Sequence, residues 1–365
     1  MEINPNVRRQ TDRRQVYRYL YDDPLPVEAQ EIADALFLDL SVVNESLSSL
    51  LKEGMISRDP DQAYVLEPRG RIAVGISIRE DGFRLLALGM RGEELACQEV
   101  PEAFSHTQAY YETLSQCLEM FLDEFGLDRK RLLGVGITLP GIINQSTGKL
   151  VMASSLELWD VPLEEIYRHF PLYQVYIESE ASASGYAERW ADPTRSSIVY
   201  LSLDRSVGGS LILEGRQYLG SHGRSGEFGH MRIVPDGRRC TCGRRGCLEA
   251  YCSTSRLSDD LGLTLDQFFE ALQSGDEQAA ELWTEYQSRL TDALANLRQC
   301  FDCDIVLGGA LPQYLGGFLP EIRWELGEKT SFDGDVFFLH LGRCGPNGGC
   351  IGTAMRFIDD FLLTY

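Results

Sequence analysis

Between Gly226 and Glu249 the chain reads GEFGHMRIVPDGRRCTCGRRGCLE, placing His230, Cys240, Cys242 and Cys247 inside one short glycine- and arginine-rich segment. One imidazole and three thiolates at a His-x9-Cys-x-Cys-x4-Cys spacing are the donor set of a closed, tetrahedral, structural zinc site. Gly243 and Gly246 free the loop to wrap back, so that Cys242 and Cys247 converge. Arg238, Arg239, Arg244 and Arg245 would offset thiolate charge or face an anion. Three thiols buried separately as small hydrophobes would suit a less polar loop than this one. Glu227 stands three residues before His230, and Glu249 two after Cys247. A metal that fixes the loop holds both carboxylates near one point, where they and the metal-bound imidazole can accept from and orient sugar hydroxyls. Spacing alone suits two solvated surface glutamates equally well.

Such a loop needs a scaffold, and the chain is long enough to build one. Its 365 residues, 44% of them apolar, suit two or three domains. The first 15 residues hold no apolar run, and no stretch of about 18 apolar residues occurs anywhere. The expectation is therefore a cytoplasmic protein with reduced thiols and no membrane partner. With 34 basic against 55 acidic residues, the formal net charge of −21 opposes non-specific attraction to nucleic acid. A local basic surface remains compatible with it, because salt screens charge beyond about 8 Å.

Residues 1–70 read as a unit. RRQVYRYLYDD and VEAQEIADALF carry apolar residues at helical spacing. Ser41 is positioned to cap a third helix that buries Val43, Leu47, Leu50 and Leu51. Two short extended pieces around Asp59-Pro60-Asp61 follow, giving the winged helix-turn-helix order. From Arg71, RIAVGISI, FRLLALGM and ELACQEVPEA predict a three-stranded meander, then a helix over about 107–126 and a buried strand, LLGVGITLPG. SIVYLSLD opens a second lobe with the same order, 266–300 read as helix, and a last helix starts near Gly349. The expected organisation is a DNA-binding domain over 1–70, a first α/β lobe over 71–195 to which the helix of 349–365 returns, and a second lobe over 196–348. The duplication implies a cleft between the lobes.

With these elements in place, the motifs GEFGHM…CTCGRRGCLEAYCS, GVGITLPGIINQSTGKL, SSLELWDVPL, VYIESEASASGYAE, VGGSLILEG and IVLGGA resemble those of the repressor, open reading frame, kinase (ROK) family over about 71–365. The N-terminal 70 residues resemble the winged helix-turn-helix of the family's repressors. The resemblance implies an α/β, actin-like (ribonuclease-H-like) two-lobed fold, a hexose in the cleft, and dimers or tetramers. It assigns sugar contacts to Glu227, His230 and Glu249, places Glu180 where the family has its catalytic aspartate, and puts Ser155 where it has a sugar-binding asparagine.

The family holds sugar kinases and repressors, and two loops separate them. Where kinases cradle ATP phosphates with Asp-x-Gly-Gly-Thr, this chain has Ser77-Ile78-Arg79-Glu80-Asp81. Where they have Gly-Thr-Gly, it has Asp204-Arg205-Ser206. Side chains and acids there oppose the close backbone approach and the charge of a phosphate. The expectation is a sugar-responsive transcriptional regulator, a repressor, without catalysis. The alternatives are an ATP-dependent hexose or N-acylhexosamine kinase with Glu180 as base, and a relic of the fold that does not bind DNA. DNA contacts would come from Arg8, Arg9, Arg13 and Arg14 on the first helix and from Ser41, Asn44 and Ser46 on the third. Trp159 is expected to pack at the lobe interface, and the Cys300-x2-Cys303 pair in the core.

Overall fold

The structure is a computed structural model that describes residues 5–330 and 336–365. Three helices come first, α1 (Pro5–Asp22), α2 (Ala29–Leu36) and α3 (Leu40–Lys52), then a hairpin of β1 (Ile56–Arg58) and β2 (Tyr64–Leu66). Val16, Tyr17 and Leu20 of α1 close on Ile32 and Ala33 of α2 and on Val43, Leu47 and Leu50 of α3. Asp39, not Ser41, occupies the N-cap position of α3; Ser41 lies in its first turn.

The first sheet is built from β3 (Ile72–Ile78), β4 (Phe83–Leu88) and β5 (Glu94–Val100) as an antiparallel meander. After α4 (Gln108–Glu124) comes β6 (Leu132–Leu139), parallel to β3. A small three-stranded sheet of β7 (Ile142–Asn144), β8 (Lys149–Ala153) and β9 (Leu158–Pro162) and a short α5 (Glu164–Tyr167) precede β10 (Val175–Ser179), which pairs parallel to β6. The helix α6 (Glu180–Ala191) then leads to the second lobe.

There β11 (Ile198–Leu203), β12 (Val207–Leu213) and β13 (Arg216–Gln217) repeat the antiparallel opening. A long loop reaches α7 (Glu249–Cys252), followed by α8 (Ser255–Ser258), α9 (Leu265–Gln273) and α10 (Glu277–Phe301). The span 266–300, read as one helix, is thus two. Gly275 at φ +85° breaks it, and the Asp276 carboxylate starts the second by accepting from the Ala279 N–H at 2.9 Å. β14 (Asp304–Gly309), α11 (Pro312–Leu315), α12 (Leu319–Lys329) and β15 (Leu339–Leu341) finish the lobe, and α13 (Gly348–Thr364) ends the chain.

The strand orders are β10-β6-β3-β4-β5 and β13-β12-β11-β14-β15. Counted from the first strand of each lobe, these are one topology, so the chain has the two-lobed α/β fold expected of its duplication. Every residue of β3 is buried because both faces of the sheet are covered. Ile72, Val74, Ile76 and Ile78 face α4, whereas the alternate positions are small because α13 lies against them. A Cβ at Gly75 would collide with the Cys350 carbonyl. The core of the N-terminal helices is continuous with Ala73, Leu86 and Leu88 of this sheet and with Ala354, Met355 and Ile358 of α13.

Candidate functional site

His230 closes a 3-10 turn over Phe228–His230, and the chain then runs out and back so that Arg232 bridges Cys247 and Arg239 bridges Arg245. Backbone bonds from the Cys240 N–H to the Arg244 carbonyl and from the Gly246 N–H to the Arg238 carbonyl, both 2.8 Å, set the turn. Gly246 sits at φ +80°, and any Cβ there would strike the Val234 carbonyl. The loop thereby brings together the four residues singled out from their spacing: one donor atom each of His230, Cys240, Cys242 and Cys247 lies within 4.8 Å of the others. In a tetrahedral zinc centre with bonds of about 2.3 Å, two thiolates stand about 3.8 Å apart. Here the Cys242 and Cys247 Sγ atoms are 3.8 Å apart, and Cys240 Sγ is 3.7 Å from His230 Nδ1. The donor set fits a tetrahedral metal, bound through Nδ1.

Binding through Nδ1 leaves Nε2 directed at Glu227, whose Oε2 lies 4.0 Å away. Glu249, at the start of α7, is buried. Its Oε1 accepts from Thr241 Oγ1 at 2.5 Å and from Cys240 Sγ at 3.5 Å, and its Oε2 from the Val207 N–H at 3.2 Å. The carboxylate thus ties the cysteine loop to the first residue of β12. Burial raises the Glu227 carboxyl above its ordinary value, and the neighbouring Glu249 adds to this while His230 opposes it. Glu227, His230 and Glu249 therefore form one polar cluster, in which the carboxylates accept and His230 Nε2, with Nδ1 on a metal, would donate.

Glu180 is the first residue of α6. The parallel pairing of β3 and β6 sets Ser77 beside Thr138 at the ends of their strands, and both hydroxyls donate to the Glu180 carboxylate, Ser77 at 3.0 Å. The first turn of α13 closes over it, so that a Cβ at Gly349 would collide with both carboxylate oxygens. Burial raises the Glu180 carboxyl. Ser155 is exposed on a 3-10 turn between β8 and β9, and its hydroxyl makes no hydrogen bond among the described residues.

The two loops that separate the branches are filled with side chains. Arg79 is held by Glu99 at 2.7 Å and lies 3.7 Å from Asp81. Asp204, between β11 and β12, is half-buried, and desolvation raises its carboxyl. Arg205 beside it pairs with Asp259 at 3.1 Å.

In the N-terminal domain the expected contacts scatter. Ser41 and Asn44 are exposed on α3, but Ser46 is only 6% exposed and faces α1; as a contact to bases it is corrected to a packing residue. Arg8 is exposed, and Arg9 lies 3.4 Å from Glu45. Arg13 is turned inward onto Glu53, 2.5 Å away, and over the Tyr365 ring, while Arg14 donates to the Thr364 carbonyl. From Tyr19 to Leu51 the sequence holds no lysine, arginine or histidine and seven acids. Phe37, in the turn between α2 and α3, is 96% exposed at φ 54°.

Other expectations also change. Trp159 is 60% exposed on β9 rather than packed between lobes, because its strand lies on the small outer sheet. Cys303 is buried but Cys300 is exposed on the outer face of α10. Sequence reasoning missed Arg356, which donates to both carboxylate oxygens of buried Glu178, to Gln217 Oε1, and lies 3.7 Å from the Tyr186 ring centroid. The available signal was that Arg356 is the single basic residue in the apolar stretch GGCIGTAMRFIDDFLLT.

The sequence profile of the ROK family matches residues 73–331. The xylose repressor of Bacillus subtilis (strain 168) is 24% identical over 356 residues, 92% of either chain. The DNA-binding transcriptional dual regulator NagC of Escherichia coli (strain K12) is 25% identical over 281 residues, 73% of this chain and 68% of that protein. Among solved structures, a ROK family transcriptional regulator described as a homolog of the E. coli MLC protein superposes with a TM-score of 0.75 at 20% identity, covering 97% of this chain and 98% of its own. A ROK family glucokinase from Streptomyces griseus, in complex with glucose and AMPPNP, superposes at 0.65 and 21% identity over 78% of this chain and 98% of its own. At these identities the structural likeness concerns the fold.

Proposed function

The chain belongs to the ROK family, and from that premise we propose that it is a sugar-responsive transcriptional regulator of the repressor branch, without phosphoryl transfer. The observation that carries this reading is a contrast within one cleft. The polar cluster of Glu227, His230 and Glu249 is held together, while the turns that would cradle phosphates carry Arg79, Asp81, Asp204 and Arg205. The Asp204 carboxylate opposes the charge of a triphosphate, and Glu180 Oε2 already accepts from Ser77 and Thr138. His230, Cys240, Cys242 and Cys247 would hold zinc, whose role is to keep the loop rigid. The chain's own part is then to accept from sugar hydroxyls at Glu227 and Glu249 and to donate from His230 Nε2. Ser155 would reach the ligand from the facing lobe. The relatives' names make D-xylose and N-acetylglucosamine the first sugars to test, in a cytoplasmic dimer or tetramer.

Titration calorimetry with these two sugars and glucose tests the sensor, with binding to at least one expected and silence with all three overturning it. A coupled assay for ADP release over the same sugars is expected to stay at background; turnover would restore the kinase reading.

For DNA, Arg8 and Arg9 on α1 and Ser41 and Asn44 on α3 are the exposed candidates. The run from Tyr19 to Leu51, with seven acids and no basic residue, favours a second reading, in which this domain is an interaction module for a partner other than DNA. Fluorescence anisotropy with the gene's own upstream duplex at low salt separates them: saturable binding supports the first and a flat titration the second.

A further inference from the structure

We propose that α13 is the mechanical link between the cleft and the N-terminal domain, with Arg356 as its pivot. This rests on the sensor reading and names the regulation of that site. The helix has 17 residues, so it is about 25 Å long. Its first turn lies against Glu180 at the floor of the cleft, with no room there for a side chain at Gly349.

Midway, Arg356 joins both lobes. Its guanidinium donates to Glu178 on β10 of the first lobe, at 2.9 and 3.2 Å, and to Gln217 on β13 of the second. Gln217 in turn donates to the Ser182 carbonyl at 3.1 Å and to Ser210 Oγ at 3.4 Å, which carries the contact to α6 and β12. Tyr186 is stacked under the guanidinium and its hydroxyl bonds Asp359, one turn further along α13. A change in the angle between the lobes must therefore move Gln217 relative to Glu178, and Arg356 is bonded to both.

The last turn grips the N-terminal domain. Phe361 and Tyr365 stack on each other at 4.6 Å and meet Tyr17 of α1 edge-on at 6.2 and 5.2 Å. Tyr365 bonds Glu53 just beyond α3 at 3.1 Å, and Arg13 lies over its ring at 4.8 Å. Arg14 donates to the Thr364 carbonyl. Two of α1's five arginines, Arg13 and Arg14, thus contact α13 or the residue after it. The apolar core shared by α1, α3 and α13 makes the joint a packed one, which passes displacement instead of absorbing it. Arg356 is a positioning residue: its role is to convert lobe geometry into the seat of α1.

Hydrogen exchange on the full chain tests this, comparing wild type with Gln217→Leu, which cuts the second-lobe bond without leaving Glu178 unpaired, and with Tyr365→Ala, which cuts the other end. In Gln217→Leu, peptides covering 357–365 and 13–21 are expected to exchange about tenfold faster, although they lie at the far end of α13. Coupling being reciprocal, Tyr365→Ala is expected to speed exchange around 178–186 and 210–217. Changes confined to the mutated neighbourhood in both variants overturn the proposal. A second arm adds D-xylose or N-acetylglucosamine. A sugar that binds wild type is expected to bind Tyr365→Ala within about threefold, yet no longer to change exchange in 13–21. If neither sugar binds wild type, the effector class is what falls, and the comparison of the two variants still decides the link.

Discussion

At the scale of single residues, two carboxylates with opposite fates define the chemistry. Glu249 has its acceptors spoken for by Thr241 and Val207, and what remains can orient a hydroxyl. Glu249→Ala is expected to weaken sugar binding by about 10- to 100-fold in calorimetry, the cost of losing a charge-assisted bond, with metal content unchanged by elemental analysis. Asp204 has no ligand to serve on this reading. Burial raises its carboxyl, so the folded state holds its proton more tightly than the unfolded chain does. Between the ordinary aspartate value and the raised one, stability falls as pH rises, and above the raised value a constant penalty stands. Asp204→Asn keeps an acceptor for the Arg205 N–H and removes that penalty. Its Tm is expected to exceed wild type near pH 8, with the gain shrinking towards pH 4; a pH-independent difference would mean the charge is not the cause.

At the scale of elements, the cysteine loop is a segment without a core of its own, whose course depends on four donors and two bridges. Chelation, or Cys242→Ser, is expected to lower Tm and to abolish sugar binding, because Glu249 is anchored to the loop through Thr241. Retained affinity in the metal-free protein would break that dependence. The helix-turn-helix is the counter-case. With Arg13 and Arg14 turned onto α13 and Arg18 paired with Asp22, Arg8 and Arg9 are the α1 arginines best placed to meet phosphate, so any DNA affinity should fall with salt at a log–log slope near −2 for each domain bound, about one unit per phosphate contact. A slope steeper than about −5 would mean that arginines were freed on binding. These elements also mark what was legible in the sequence. The four metal donors stood within 18 residues, and their spacing carried the geometry. The strands showed as apolar runs. Ser46 was misread because an exposed and an inward serine on one helix differ only in phase, and the phase is decided by α1. The pairing of Ser77, Thr138 and Glu180 arises from three strand ends meeting in register, and no local pattern encodes that.

At the scale of the molecule, two copies of one topology face each other, and a single terminal helix completes the first while touching the N-terminal domain. Removing residues 348–365 is expected to leave a chain that does not accumulate in soluble form, since Ala73, Leu86 and the glycines of β3 and β6 would lose their cover; a folded, monodisperse truncation would contradict the shared core. The same arrangement has a consequence during synthesis. Strands β3 to β6 of the first lobe leave the ribosome more than two hundred residues ahead of the segment that roofs them. Until α13 is made, that lobe stays uncovered on one apolar face, the kind of exposed surface that makes a partly folded chain prone to aggregate.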